Sequence, residues 1–289
     1  MKKISFFYCL LIFIAWSCAK EEDTEEQKIQ RPAGKYLSEI RINASPFDVA
    51  DSSKLVEFVY DNYRYLKTIK FYIPETGQMI RHFDLIYSKD GMLSHIETNY
   101  GGNFAMIDER FTYEHKKLVK IEGFKIEDSK TEMVEKAEFN VDSVNNTVEM
   151  YPFELKDGVF VKSNFYQKYT FDTDGNLVNY HYNIGQGGMF ESMEDYEYNN
   201  SVNPFNILDI PYFNLIPLYF SSGESFSMNN VIKQNNYLYE DGVSYNKPDF
   251  DTIVYKYKGK YPVESAKYHS SPGFPLELKS QLFYKYVDL

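Results

Sequence analysis

The segment Tyr169-Thr170-Phe171-Asp172-Thr173-Asp174-Gly175-Asn176-Leu177-Val178-Asn179-Tyr180 decides the fold. Apolar and polar residues alternate on both sides of a central run of turn-forming residues. A period of two is typical of a strand with one buried face, and Asp-Gly suits a tight turn because glycine readily adopts a positive φ. The segment therefore predicts an antiparallel β-hairpin.

The same hairpin pattern recurs along most of the chain. The strand-end positions that correspond to Phe171 are residues 60, 87, 113, 141, 171 and 198, with steps of 27, 26, 28, 30 and 27. Two later strands with the same pattern lie at residues 254–257 and 283–286. Such a repeat indicates one supersecondary unit stacked many times. We predict an all-β fold over 35–289 as a single domain. It is a large, strongly twisted antiparallel meander sheet of repeated hairpins, either an open half-barrel or wrapped and barrel-like.

Residues 203–222 depart from this pattern. Prolines at 204, 211 and 217 exclude a central strand, and the abundance of apolar residues excludes a free loop. We expect a short helical or irregular plug over the concave face of the sheet, and the alternative is a mobile lid over an apolar groove. The candidate plug or groove residues are Phe205, Tyr212, Phe213, Tyr219 and Phe220.

The first 17 residues have the pattern of a signal peptide. Two lysines follow Met1, and the apolar run from Ile4 to Trp16 is too short to span a bilayer. The run ends at Ser17-Cys18, which resembles a bacterial lipobox. That resemblance implies cleavage before Cys18 and acylation of its thiol and new amine, for example by palmitate. Several acyl chains anchor a protein stably in a membrane.

Residues 18–34 are predicted to be an acidic, flexible tether. The stretch Lys20-Glu21-Glu22-Asp23 resembles the export signal of Bacteroidota lipoproteins, which implies display on the cell surface. The alternative is a merely solvated linker, because charge runs are often disordered. The expected location is the outer membrane, reached through the lipid anchor and exposed at the cell surface.

Charge and cysteine content exclude several classes of protein. The net charge is −11, and removal of Lys2 and Lys3 leaves 29 basic and 42 acidic residues, or −13. Such a field repels phosphate backbones, so nucleic acid is not expected as a partner. Cys9 lies in the leader and Cys18 receives lipid, which leaves no disulfide framework and no multi-cysteine metal site.

No catalytic residue, metal site or cofactor is predicted. The five histidines are scattered, and no pair among the 42 acids stands out from the sequence. Asp172-Thr173-Asp174-Gly175-Asn176 superficially matches a calcium loop, but its twelfth position is Asn183 rather than an acid, so a turn is favoured. Ser143 and Thr252 each follow an aspartate and resemble the three-residue Bacteroidota O-glycosylation pattern, which makes them candidate acceptors.

The order of motifs resembles a known family. The repeating unit is similar to the tyrosine–aspartate hairpin repeats of bacterial surface and toxin-shell proteins. The chain from 36 to 289 more closely resembles an uncharacterised family of Bacteroidota surface lipoproteins with a so-called porin-like fold. The motifs that carry this resemblance are Asn203-Pro204-Phe205, Asn229-Asn230-Val231, Tyr261-Pro262-Val263 and Tyr284-Lys285-Tyr286. The family implies the fold and the location, and it transfers no activity.

Three functions remain open from the sequence. The first is a surface lipoprotein whose non-catalytic β module binds a glycan, a peptide or an envelope protein. The second is a carrier of lipid or other apolar cargo, or an envelope assembly factor. The third is a polysaccharide hydrolase. The absence of a recognisable catalytic motif favours the first, with the membrane as a partner through the anchor.

Overall fold

The computed structural model describes residues 30–43, 52–101, 106–127, 130–184, 190–205, 227–240, 243–244 and 248–289. Its strands are β1 (Lys35–Asn43), β2 (Ser52–Tyr60), β3 (Leu66–Tyr72), β4 (Met79–Tyr87), β5 (Leu93–Asn99), β6 (Met106–Glu114), β7 (Lys117–Glu127), β8 (Lys130–Asp142), β9 (Thr147–Lys156), β10 (Val159–Lys162), β11 (Gln167–Phe171), β12 (Leu177–Ile184), β13 (Phe190–Val202), β14 (Asn229–Glu240), β15 (Val243–Ser244), β16 (Asp249–Lys258), β17 (Tyr261–Ser270) and β18 (Glu277–Asp288). Within these ranges no helix is long and apolar enough to cross a membrane.

The strands form one closed antiparallel ring. Neighbours in chain order pair with each other, and β1 pairs with both β2 and β18, which joins the two ends of the sheet. Sixteen of the eighteen strands in the described residues make up the ring. The other two are short: β10 pairs with β9 next to β11, and β15 pairs with β14 next to β16. The predicted all-β antiparallel meander is confirmed. Of the two forms that the sequence left open, the wrapped barrel is the one observed, and the open half-barrel is wrong.

A β-bulge beside most of the repeated strand ends explains the spacing of the motif, whereas at Val141 the register continues without a shift. Tyr60 pairs with Leu66, and the register then shifts so that Val59 pairs with Thr68. The extra residue Lys67 lets Leu66 and Ile69 both face the inside although they are three positions apart, and both are fully buried. The same shift occurs at the pairs Tyr87–Leu93, Tyr113–Leu118, Phe171–Leu177 and Tyr257–Pro262.

The repeated tyrosines tie adjacent hairpins together. The Tyr60 hydroxyl donates to the Leu37 carbonyl at 2.7 Å, and the Tyr87 hydroxyl donates to the Leu66 carbonyl at 2.9 Å. The Tyr198 hydroxyl donates in the same way to the Leu177 carbonyl, and the Tyr286 hydroxyl to the Pro262 carbonyl at 2.8 Å. Each ring therefore buries apolar area while its hydroxyl stays hydrogen-bonded, as buried tyrosines usually require.

Aspartates close the short turns that follow these strand ends. One oxygen of Asp61 accepts the backbone amides of Tyr63 and Tyr65, both at 2.9 Å. One oxygen of Asp172 accepts the amides of Asp174 and Asn176 at 2.9 and 2.8 Å. These bonds are typical of Asx turns, so the turn interpretation of residues 172–176 is confirmed.

Two apolar clusters fill the inside of the ring next to the short turns. One is built on β1–β5 and β18, and the other on β7–β9, β11–β14 and β16. Phe111 packs against both of them. Their fully buried leucines, which stand near the starts of strands, are Leu37, Leu66, Leu93, Leu118 and Leu177. The short-turn end of the barrel is therefore the packed end.

Ion pairs line the outer face. Glu39 contacts Arg41, Lys54 and Lys285 at 3.0, 3.5 and 2.8 Å, and Glu57 contacts Lys54 at 3.1 Å. The hydrogen bond from the Tyr72 hydroxyl, opposed by partial burial, holds the pKa of Glu57 below its usual range. Pairs on other strands are Lys120–Glu122, Lys136–Glu138, Lys168–Glu149, Lys233–Glu197 and Lys256–Glu264.

The segment just before β1 packs on the short-turn end. The Arg31 guanidinium carbon lies 4.3 Å from the centre of the Tyr65 ring, and the Arg64 guanidinium donates to the Arg31 carbonyl at 2.6 Å. Gly34 exchanges two backbone hydrogen bonds with Leu289, at 3.0 and 3.1 Å. The last residues of the predicted tether are thus in contact with the barrel, and the chain enters the fold at its packed end.

Candidate functional site

Most of the predicted site residues lie outside the described residues. These are Cys18, Lys20, Glu21, Glu22, Asp23, Tyr212, Phe213, Tyr219 and Phe220. Of the predicted plug, Phe205 is described: its side chain is buried, and its ring meets that of Tyr284 edge-on at 6.4 Å. Its amide donates to the Asn203 side chain at 2.9 Å. Phe205 is therefore part of the first apolar cluster, inside the ring.

The two candidate glycosylation residues lie on the outside. Ser143 is exposed in the turn between β8 and β9, where its hydroxyl accepts a hydrogen bond from Lys117 at 2.6 Å. Thr252 is paired between Lys233 and Tyr268 on the outward face of β16. The structure does not bring them together, since Ser143 lies in the turn between β8 and β9 and Thr252 lies on β16.

The inner wall beyond the apolar clusters, away from the turns at 61–65, 88–92, 115–116 and 172–176, is polar. Side chains that face each other across paired strands point to the same side of a sheet, so the register identifies the inward residues. We call the following inward residues the polar belt: Glu109, Glu135, Gln167, Tyr169, Tyr180, Tyr182, Glu194, Tyr196, Gln234, Asp251, Lys267 and His269. The belt runs across strands from β6 to β17.

A row of tyrosines forms the middle of the belt. The rings of Tyr169 and Tyr180 stack at 4.9 Å with an interplanar angle of 21°, and those of Tyr180 and Tyr182 stack at 5.1 Å with 25°. Tyr169 is buried, whereas Tyr180 and Tyr182 are partly exposed. Burial, reinforced by the nearby charge of Glu194, raises the pKa of Tyr180 far above its usual value. Tyr180 lies between the other two rings, and the partly exposed Tyr182 ends the stack on the lumen wall.

The Glu194 carboxylate is fixed beside this row. The same oxygen accepts hydrogen bonds from the Tyr196 hydroxyl and from the Gln234 side-chain amide, the latter at 3.1 Å. Gln234 is buried, and its own side-chain oxygen has no hydrogen-bond partner among the described residues. Buried polar atoms are normally paired, so this enclosed oxygen, which is closed off from the lumen surface, is a place for an internal water.

Asp251 holds the far end of the belt. It is buried and contacts Lys267 and His269 at 2.9 and 2.7 Å. The other ring nitrogen of His269 lies 3.2 Å from the Ser271 hydroxyl. Asp251 therefore binds both Lys267 and His269, and the Lys267 ammonium lies in an inner wall that is otherwise rich in carboxylates.

Glu109 and Glu135 line a separate cavity of about 310 Å³. They flank Gly123 in one register row across β6, β7 and β8. A Cβ placed on Gly123 would lie 3.0 Å from the Cβ of Glu135, so the glycine leaves room for the Glu135 side chain to lie over β7. Burial first, and then the charges of Glu135 and Asp108, raise the pKa of Glu109 to about 7.

The sequence alone did not identify these residues. Glu109, Glu135 and Glu194 occupy inward positions of their strands, in phase with aromatic or apolar neighbours such as Phe111, Phe139 and Tyr196. The sequence signal for such a residue is an acid that lies two or four positions from an inward apolar residue. The bulges, however, change from strand to strand which alternate positions face inward. Within the described ranges, no group of three or more His, Cys, Asp or Glu residues is arranged to hold a metal ion.

The comparisons with known proteins give the fold. No family model matches the chain, and no curated protein matches it. Among solved structures, the chain is similar to a porin-like protein from Bacteroides vulgatus, with 12% identity, a TM-score of 0.50, and coverage of 89% of this chain and all of that one. It is also similar to a porin-like protein from Bacteroides uniformis, with 12% identity, a TM-score of 0.51, and coverage of 90% of this chain and all of that one. The chain therefore has the porin-like fold.

Proposed function

We propose that this protein is an outer-membrane-anchored, surface-exposed lipoprotein whose barrel binds a ligand in its lumen without transforming it. The observation that carries the proposal is the division of the lumen. The two apolar clusters pack the short-turn end, and the polar belt, whose Tyr169 and Tyr196 also belong to the second cluster, lines the wall beyond them. A packed floor below a polar wall with stacked tyrosines is the arrangement of a binding cup.

The outer face supports a barrel that stands in water. Proteins that cross the outer membrane as barrels present an apolar band to lipid, and charges in that band are costly. Here the outward positions of β1, β2 and β18 carry a network of ion pairs that includes Glu39, Lys54 and Lys285. Attachment through acylated Cys18 is then what holds the protein at the membrane.

The entry point of the chain supports an orientation. Residue 31 packs at the short-turn end, so the proposed lipid at Cys18 lies 13 positions upstream of that end. Thirteen extended residues reach at most about 45 Å, so the proposed lipid attaches to the barrel from its packed end. With that end toward the membrane, the polar wall of the lumen would face ligands outside the cell.

The ligand that the tyrosine row fits best is a glycan. Flat rings with hydroxyls suit sugars, and the fixed, partly exposed Glu194 carboxylate accepts hydrogen bonds from sugar hydroxyls. A peptide or an envelope protein segment entering the lumen is the competing ligand. An apolar cargo has less support, because side chains of the two clusters already occupy the apolar part of the lumen.

The test is a glycan array together with a pull-down from envelope fractions. We expect the wild type to retain a glycan, and Tyr182→Ala and Glu194→Gln to lose at least tenfold in affinity. His181→Ala and Asp195→Asn are matched controls, because these neighbours point outward on the same two strands, and they should bind as the wild type does. Equal losses in the controls, or turnover of the retained glycan, would contradict the proposal.

A further inference from the structure

The carboxyl pair Glu109 and Glu135 differs from the other acids of its strands. Glu122 on β7 and Glu138 on β8 face outward and pair with Lys120 and Lys136 at 2.9 and 2.8 Å. Glu109 and Glu135 face inward, and neither forms an ion pair or a hydrogen bond with any of the residues that the structure describes. Lys136 also lines the cavity, but its ammonium is paired with Glu138. Two acids that share a cavity without a cation paired to either of them are costly, and a cation bound between them would relieve that cost.

The lining of the cavity indicates what kind of cation fits. Apolar groups from three strands form most of it: Ile121, Ala137, Met150 and Pro152. The side-chain oxygen of Gln167, which also lines the cavity, already accepts the Tyr169 hydroxyl. A hydrated divalent metal would need about six oxygen ligands, whereas an organic cation needs carboxylates for its head and apolar surface for its body.

Gly123 leaves the space that allows the Glu135 side chain to approach Glu109 across β7. It stands between Glu109 and Glu135 in the same row, and the Glu135 side chain lies against the space that a Cβ would occupy there. A larger residue on β7 would separate the two carboxyls. Glu135 is the more exposed of the two, and Glu109 is partly buried, so a ligand reaches Glu135 first.

We propose that the cavity between Glu109 and Glu135 binds the ammonium group of an organic amine whose alkyl part lies on the apolar lining. The inference rests on the proposal that the lumen is the binding site, and it names the chemistry of one end of the ligand. An aminosugar or the lysine side chain of a peptide carries such a group, and the shared chemistry is a primary amine.

Protonation of Glu109 links this binding to pH. The groups that face it are Ile96 on β5, Gly123 on β7 and Glu135 on β8, with Asp108 on its own strand. The Lys136 ammonium, on the rim, is engaged by Glu138 at 2.8 Å and by the Phe153 ring at 4.1 Å. A cation favours ionised Glu109, so affinity rises with pH across the pKa of about 7. The ionised fraction rises about tenfold between one pH unit below the pKa and one above it.

The experiment is calorimetric titration of the purified full-length protein with n-hexylamine, with n-hexanol and calcium chloride as separate probes. We expect hexylamine to bind more tightly at pH 8 than at pH 6, and hexanol and calcium to bind at least tenfold more weakly. Glu109→Gln and Glu135→Gln should each lose tenfold or more in hexylamine affinity, and Glu109→Gln should also lose the pH dependence. Glu122→Gln, a matched outward residue on β7 that pairs with Lys120, should leave affinity unchanged.

Three outcomes would overturn the inference: equal binding of hexylamine and hexanol, tighter binding of calcium, or release of reducing ends from a polysaccharide that either inward variant abolishes. Thermal unfolding of each variant shows whether it folds. The glutamine variants remove repulsion, so they should melt no lower than the wild type.

If a glycan binds in a Glu194-dependent manner while hexylamine does not bind, this inference fails and the proposed function stands. Hexylamine binding without any glycan or envelope partner leaves this inference standing and contradicts the broader function.

Discussion

At the scale of single residues, an inward tyrosine such as Tyr60 both buries its ring and makes a hydrogen bond, whereas phenylalanine could only bury the ring. Burial raises the pKa of the Tyr60 hydroxyl far above its usual value, and that hydroxyl donates to a carbonyl on β1. The ring of Tyr60 also meets that of Tyr36 at 5.2 Å, nearly edge-on. The hydroxyl therefore contributes a hydrogen bond between hairpins, separately from the apolar area that the ring buries.

Tyr60→Phe isolates that hydrogen bond. We expect it to lower the free energy of unfolding by about 1 kcal/mol, because the ring remains while the Leu37 carbonyl loses its side-chain donor. Urea unfolding of the two proteins measures the difference. Tyr100→Phe is the control, since Tyr100 is exposed, and it should unfold as the wild type does. Equal stability of the wild type and Tyr60→Phe would show that the bond contributes nothing.

Glu109 makes stability depend on pH. Its pKa in the folded protein is raised from 4.5 to about 7, so its contribution is fully present below pH 4.5 and is lost as pH rises through 7. Relative to Glu109→Gln, the wild type should lose roughly 2–3 kcal/mol between these limits and change little above them. Urea unfolding at pH 4.5, 6 and 8 tests this. A constant difference between the two proteins across the series would contradict the raised pKa.

At the scale of elements, the hairpin was predictable and its bulge was not. Alternation around Asp172-Thr173-Asp174-Gly175 indicates strand, turn and strand from local chemistry alone. The spacing of three between Leu66 and Ile69 was visible as part of the repeat, but only the register shows that Lys67 is the extra residue between them. Because each bulge resets which residues face inward, the carboxyl pair Glu109 and Glu135 could not be assigned to the lumen from alternation counted along the sequence.

The short turns also depend on glycines with positive φ. Gly91 has φ of +79°, and a Cβ there would lie 2.5 Å from the Tyr65 hydroxyl, whereas Gly77, at +68°, has open space. Gly77→Ala should cost about 1 kcal/mol for its backbone conformation alone. Gly91→Ala should cost distinctly more, because Tyr65 must also move away from the turn. Thermal or urea unfolding of the two variants separates these effects, and equal losses would mean that Tyr65 does not pack on this turn.

At the scale of the whole molecule, closure of the ring depends on a pairing that has no local signal. Ile40 pairs with Tyr284 and Glu39 with Lys285, residues from opposite ends of the chain. The sequence predicts the strands and a strongly twisted sheet, but an open and a closed sheet of the same hairpins have the same local pattern. Closure is also what creates a lumen, so neither the polar belt nor its division from the apolar floor could be derived before the ring was known.

The most direct test of the central claim, a water-exposed barrel held to the membrane by its lipid alone, is vesicle flotation. The full lipidated chain and a chain that starts at residue 30 are each mixed with vesicles of Bacteroidota outer-membrane lipids and centrifuged through a density gradient. We expect the lipidated chain to float with the vesicles, while the shorter chain stays soluble without detergent and remains at the bottom. Flotation of the shorter chain after incubation with vesicles would contradict it, because a barrel with paired charges on its outer face would then have entered the bilayer.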